Sequence, residues 1–169
     1  MEIQIATKAD AEALADLFIG HITAHPEYIS HGEIQMGVGE GEIVDGVLVA
    51  HPAPEAREKW MKYILEHIED SSFAEVWKAV APDGALIGFC VADIDEDGDA
   101  PFGMVCDVLV GEEYRGCGAG QALLQTAISW LRSRGIKDIY LESGKDNHSA
   151  HRFFEKRGFS HVSEIYKLA

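Results

Sequence analysis

Residues 114–124 read YRGCGAGQALL. Gly116, Gly118 and Gly120 fall within five positions, just after the strand-like run FGMVCDVLV (102–110) and at the head of the amphipathic run AGQALLQTAISWLRSRG (119–135). Glycine loses more conformational freedom on folding than any other residue, so three of them in one turn mark a need for bare backbone or unusual dihedral angles. A strand feeding a glycine-rich turn and then a helix N-terminus is an anion cradle. Its N–H groups point one way, and the helix dipole adds about half a positive charge there. The run Arg115-Gly116-Cys117-Gly118-Ala119-Gly120 lacks the Gly-Lys-Ser/Thr ending of a nucleotide phosphate loop and does not follow the dinucleotide fingerprint. A dinucleotide fold would also place its glycine turn after the first strand, not the fourth.

Outward from the turn, hydrophobic periodicity orders the rest. EIQIA (2–6) alternates as a strand. TKADAEALADLFIGHI (7–22) is a helix with Ala11, Leu14, Leu17 and Phe18 on one face behind Thr7 as cap. Residues 23–49 are Gly- and His-rich with weak periodicity and are expected to form a short helix and loops. PAPEAREKWMKYILEHIED (52–70) is a proline-opened helix whose Trp60, Ile64, Leu65 and Ile68 share a face. FAEVWKAVA (73–81), ALIGFCVADI (85–94) and FGMVCDVLV read as a strand meander, turned first at Pro82-Asp83-Gly84 and then by an acidic loop. The helix after the glycine turn points Leu123, Leu124, Ala127, Ile128 and Leu131 inward and stops at Gly135. KDIYLES (137–143) is a strand, NHSAHRFFEKRG (147–158) a helix ended by Gly158, and FSHVSEIYKLA (159–169) is expected as a last strand. The order is β-α-α-β-β-β-α-β-α-β. It predicts an α/β fold, a mixed central sheet flanked by helices, in a single domain over 1–169.

The chain has 169 residues, of which 47% are hydrophobic and 25% charged, the balance of a globular protein. No apolar run reaches membrane-spanning length. The start, MEIQIATKAD, carries no secretory signature, so the expectation is a cytoplasmic protein with no membrane partner. Three cysteines, Cys90, Cys106 and Cys117, are odd in number and lack metal-ligand spacing, which fits reduced thiols. Asp93-x-Asp95-x-Asp97-Gly98 imitates the start of a calcium loop, but its twelfth position is Met104 where a bidentate glutamate belongs. The eight histidines are scattered, and no metal is expected. Net charge is −15 and uneven. Residues 1–114 hold 5 Lys/Arg against 24 Asp/Glu, whereas 115–169 hold 9 against 5. The basic third suits an anionic ligand and the acidic remainder a cationic one, with solubility alone as the competing reading of the acidic part. That balance also argues against a nucleic-acid partner.

VLVGEEYRGCGAG (108–120) resembles the acetyl-CoA motif of the GNAT family of N-acetyltransferases, Arg/Gln-x-x-Gly-x-Gly/Ala behind a short strand. NHSAHRFFEKRGF (147–159) resembles the same family's Asn-x-x-Ala-x-x-(Phe/Leu)-Tyr-Glu-Lys-x-Gly-Phe segment, and IATKADAEALADLF is similar to its usual opening. The resemblance is strong over 102–160, weaker at 2–20, and specifies nothing from 21 to 75. It implies a GNAT-like acyl-CoA N-acyltransferase fold with acetyl-CoA as co-substrate. The backbone of Val108, Leu109 and Val110 would pair with the pantetheine arm like an added strand. The N–H groups of Arg115, Gly116, Cys117, Gly118, Ala119 and Gly120 would cradle the pyrophosphate. Asn147 would bond the pantetheine, though its position also suits a helix cap. Phe154 stands where the family commonly carries tyrosine, and Arg152, Lys156 or Arg157 would meet the nucleotide 3′-phosphate.

Acetyl transfer to an amine needs a neutral amine, an oxyanion donor and a proton for the leaving thiolate. A lysine-like amine is only about one part in a few thousand neutral at pH 7, so a base or a desolvating site must help. The resemblance gives the oxyanion role to the Val108 N–H. It often provides a glutamate early in that same strand as base, but Phe102 and Met104 stand there. Asp107, Glu142 and Glu33 are the alternatives. With no hydroxyl on Phe154, the proton donor is left to Tyr140, Tyr114, water, or a thiolate that departs unprotonated. The expected function is acetyl transfer to a primary amine on a cationic small molecule, by direct attack in a ternary complex. A protein N-terminal or lysine acetyltransferase and a non-catalytic acetyl-CoA sensor remain as alternatives, and a homodimer remains open.

Overall fold

The structure is a computed structural model, and it describes residues 1–168. In chain order the elements are β1 (Glu2–Ile5), α1 (Ala11–Ala24), α2 (His31–Gln35), β2 (Gly39–Val44), β3 (Val47–Pro52) and α3 (Ala56–Glu69). They continue with β4 (Ala74–Val80), β5 (Leu86–Asp95), β6 (Phe102–Val110), α4 (Ala119–Ser133), β7 (Ile139–Leu141) and α5 (His148–Glu155). The chain divides into two compact units: Met1–Phe18 with Trp60–Leu141, and Ile19–Lys59 with the chain from Glu142 onward.

In the first unit the sheet runs β1-β4-β5-β6-β7. It is antiparallel up to β6 and parallel between β6 and β7, hence mixed as expected. The β4–β5 turn closes because Gly84 adopts φ 90° and donates to Ala81 O at 2.9 Å. Asp83 Oδ1 also takes the Ala85 N–H at 3.1 Å. β5 is a continuous apolar run from Ile87 to Ala92, buried as a central strand covered on both faces should be. On one face α4 inserts Leu123, Leu124, Ala127 and Leu131, all fully buried. Gly103 permits that approach, because a Cβ there would lie 2.7 Å from a Leu131 methyl. Aromatic packing fills another part of the core: Trp60 stacks on Phe18 at 4.7 Å and meets the edge of Phe89 at 5.4 Å. Thr7 does begin the helical segment. Asp10 accepts from both the Thr7 N–H (2.8 Å) and hydroxyl (2.9 Å), and Lys78 Nζ donates to its other oxygen at 2.6 Å.

The second unit departs from expectation twice. Residues 23–49, expected as a helix and loops, contain α2 but also the antiparallel β2–β3 hairpin. Its turn is Asp45-Gly46 with φ 51° and 80°, both positive as a tight two-residue hairpin turn requires. The last strand expected over 159–169 is not formed in residues 159–168, and Ala169 lies outside the described residues. Its apolar residues Val162, Ile165, Tyr166 and Leu168 are all exposed.

Candidate active site

β6 carries two local features that set up the site. First, β7 pairs with β6 only along Gly103–Val105, opposite Ile139–Leu141. Beyond Val105, residues 106–110 have no strand beside them on that edge among the described residues, while Cys90 of β5 still faces Val108 on the other. Second, the β5–β6 register shifts: Val91 faces Asp107 but Ala92 faces Val105, so Cys106 is an extra, bulged residue. A bulge bends its strand and re-aims the side chains around it.

The strand then enters Gly111, a 3₁₀ turn at Glu112–Tyr114, and the glycine turn. Gly116 and Gly118 have φ 82° and 90°, and a Cβ on either would meet nothing within 4 Å. These two glycines are therefore demanded by dihedral angle, and the space over the turn is open. Gly118 is the N-cap of α4 and offers no capping side chain, and the first turn holds no acidic residue. First-turn N–H groups have no intrahelical acceptor, so those of Ala119 and Gly120 suit an anion. Ala119 is buried against the core and Cys117 is exposed.

Around the bulge, α3, β5 and β6 converge. The Tyr63 hydroxyl donates to Asp107 Oδ2 at 3.0 Å. Burial, reinforced by Asp107 and Cys106, pushes that hydroxyl well above its ordinary pKa. His67 faces the Tyr63 carbonyl through Nδ1 (2.9 Å) and Asp93 Oδ2 through Nε2 (3.5 Å). Burial acts to lower the His67 pKa, but the Asp93 carboxylate and the Tyr63 carbonyl outweigh it and hold the imidazole above its ordinary value. Burial and then the charges of Asp93 and Asp107 push the Cys106 thiol far up, which leaves it protonated and a poor nucleophile at neutral pH. His67, Asp93 and Cys106 together offer a nitrogen, an oxygen and a sulfur within 4.8 Å of one another.

The other base candidates are engaged in the second unit. Glu33 accepts from the Ser30 N–H at 2.6 Å and from the Ser30 hydroxyl, completing a capping box at the head of α2. Glu142 accepts from the Gly32 N–H at 3.0 Å and lies 3.7 Å from His31 Nδ1. Asn147 caps α5, its side-chain oxygen accepting from Ala150 N at 3.2 Å. Phe154 is half-buried, edge-on to Phe153 (5.3 Å) and Phe159 (6.0 Å). Arg157 lies over the Phe153 ring at 3.6 Å and bonds the Phe153 carbonyl, so packing is one of its jobs. Tyr140 is exposed beside Phe102 in the first unit.

Residues 43–159 match the sequence profile of the acetyltransferase (GNAT) family, and the chain belongs to that family. Over 84 residues it is 32% identical to N-alpha-acetyltransferase 30 of Schizosaccharomyces pombe, covering 50% of this chain and 54% of that protein. Over 80 residues it is 38% identical to the mycothiol acetyltransferase of Thermobispora bispora, covering 46% of this chain and 27% of the relative. The chain thus spans about half or less of the length of these relatives. In fold it is similar to the BH1408 protein of Bacillus halodurans, in tetramutant form, with TM-score 0.74 at 17% identity over 100% of this chain and 99% of that one. It also resembles an aminoglycoside 6′-N-acetyltransferase of Acinetobacter haemolyticus, with TM-score 0.70 at 14% identity over 100% and 97% of the two chains.

The glycine turn and Asp107 were singled out from the sequence, whereas Tyr63, His67, Asp93 and Cys106 come together only in the structure. The partners of Asp107 and Cys106 lie on other elements, and only the bulge turns Cys106 toward them. Asp93 stood out in the sequence only as the start of a calcium-like run whose twelfth position is Met104. Among the described residues, no helix is long and apolar enough to cross a membrane.

Proposed function

We propose that this chain transfers acetyl from acetyl-CoA to a primary amine by direct attack in a ternary complex. The observation that carries the reading is the β6 edge beyond Val105, which has no strand beside it among the described residues and leads through a 3₁₀ turn to the glycine turn at the head of α4. The amide groups of a pantetheine arm suit that edge as an added strand, along Val108, Leu109 and Val110. The pyrophosphate suits the N–H groups from Arg115 to Gly120. The amine nitrogen attacks the thioester carbon, and the Val108 N–H stabilises the oxyanion, a role typically worth about 3–4 kcal/mol. Collapse of the tetrahedral intermediate breaks the C–S bond. Asp107, one residue before Val108 and oriented by Tyr63, takes the amine proton. The thiolate collects a proton from water or leaves unprotonated.

The excess of carboxylates in residues 1–114 favours a cationic small-molecule acceptor, and an aminoglycoside N(6′)-acetyltransferase of Stenotrophomonas maltophilia is among the relatives, 26% identical over 110 residues. The likeness to N-alpha-acetyltransferase 30 favours a peptide N-terminus as the second reading. Thiol release from acetyl-CoA with a panel of polyamines, amino sugars and peptides separates them. Saturable turnover with a small cationic amine is expected. Turnover confined to peptides would favour the second reading, and acetyl-CoA binding without turnover on any amine would leave a sensor.

A further inference from the structure

His67, Asp93 and Cys106 come from three elements, α3, β5 and β6, and meet at one half-buried point. Cys106 reaches it because of the bulge; on a regular strand its side chain and that of Asp107 would point to opposite faces. The hydrogen bonding of His67 then raises a conflict. Nδ1 lies 2.9 Å from the Tyr63 carbonyl, which can only accept, so Nδ1 carries the ring proton. In a neutral imidazole Nε2 therefore presents a lone pair, and what it faces at 3.5 Å is Asp93 Oδ2, another acceptor. The Cys106 sulfur stands within 4.8 Å of both. Something positive resolves the conflict: a second proton on His67 or a cation shared by the group.

A proton on Nε2 serves the nitrogen and the oxygen and leaves the Cys106 thiol donating to the Met104 carbonyl at 3.8 Å. A metal ion serves all three donors. In a tetrahedral zinc site, bonds of about 2.0–2.3 Å put neighbouring ligand atoms roughly 3.3–3.8 Å apart. The His67–Asp93 separation of 3.5 Å already has that value. The outer limit of 4.8 Å is about 1 Å wider than the tetrahedral range, a small side-chain movement. We propose that His67 Nε2, Asp93 Oδ2 and Cys106 Sγ form a binding site for one divalent cation of the zinc class, with water in the fourth position. A mixed nitrogen, oxygen and sulfur set selects zinc-like ions over magnesium and calcium, which take oxygen ligands. Tyr63 supplies the outer support: its carbonyl fixes the imidazole, and its hydroxyl holds Asp107 beside the site. Binding converts the Cys106 thiol to a thiolate and releases its proton to the buffer.

The test is a metal titration, which reads the site without reference to acetyl transfer. The full chain carrying Cys117→Ser, which removes the exposed thiol of the glycine turn, is stripped with chelator and titrated with Co²⁺ and then Zn²⁺. One Co²⁺ per chain is expected, with a thiolate-to-cobalt charge-transfer band that Zn²⁺ bleaches and about one proton released per ion. His67→Gln and Asp93→Asn should each weaken Zn²⁺ at least tenfold, and Cys106→Ser should abolish the band. Circular dichroism checks that each variant is folded, and if Cys106→Ser does not fold, the other two variants read the same site. Three results overturn the proposal: no saturable binding, a Co²⁺ spectrum without the thiolate band, or affinity unchanged in folded His67→Gln and Asp93→Asn. The conflict at Nε2 would then be resolved by an imidazolium on Asp93.

Discussion

Asp107 differs from the other two carboxylates considered for proton removal in what holds it. Glu33 closes a capping box and Glu142 ties down the N-terminus of α2, whereas Asp107 is oriented by a tyrosine next to the proposed oxyanion donor. Asp107→Asn should lower kcat by about 10²–10⁴, the usual contribution of a general base, with acetyl-CoA affinity retained. Glu33→Gln should leave kcat near wild type and stability little changed, because glutamine at this position also closes a capping box. Thiol-release kinetics and denaturant midpoints on both variants check this pair, and a kcat loss confined to Glu33→Gln would move the base there. Asp10 gives a pH test. Burial acts to raise its pKa, but the bonds from Lys78 and Thr7 outweigh burial and hold it below the ordinary carboxylate value. A depressed carboxylate stabilises the fold above its unfolded pKa, near ~3.9, and loses that contribution as pH falls through the lower folded value. Asp10→Asn should therefore unfold at lower denaturant than wild type at pH 7, and the gap should shrink below about pH 4. A gap that persists undiminished to pH 2 would mean the effect is not ionic.

At the scale of elements, the glycine turn separates strain from ligand contact. Gly118 and Gly84 share φ 90° and open space around a Cβ, but Gly84 sits in the β4–β5 turn. Valine at either position should cost similar stability, since the left-handed region penalises any β-branched residue. Only Gly118→Val should also weaken acetyl-CoA at least tenfold, about 1.4 kcal/mol by calorimetry. Equal affinity losses in both variants would mean that the effect is unfolding and not the cradle. The turn, the meander and α4 were legible because each is written locally: glycines at a strand–helix junction, Pro82-Asp83-Gly84, and a heptad-like row ending at Gly135. The β2–β3 hairpin was written locally too, in Asp45-Gly46 between apolar runs, but the surrounding glycines and histidines blurred its period. The unpaired edge of β6, the bulge at Cys106 and the group gathered around it depend on pairings between distant residues. No local pattern carries them. The tail after Gly158 shows the converse: a strand-like composition formed no strand, because ladder pairing needs a neighbour as well as a propensity.

At the scale of the whole molecule, charge changes sign along the chain at the turn that would hold an anion. If the acidic majority collects a cationic acceptor, its KM should rise several-fold as salt approaches ~0.5 M, where the Debye length falls to a few Å. KM for acetyl-CoA should change less, since backbone N–H groups hold much of it, and an acceptor KM independent of salt would favour a neutral or zwitterionic acceptor. Acetyl-CoA is proposed to lie along the β6 edge beyond Val105 and over the glycine turn. An NMR titration of ¹⁵N-labelled protein with acetyl-CoA tests this placement most directly. The predicted result is large, saturable shifts of the amides of Val108, Val110, Gly116, Gly118, Ala119 and Gly120, with β1 and β4 little changed. Saturating acetyl-CoA that leaves those amides in place, or shifts others instead, would contradict it.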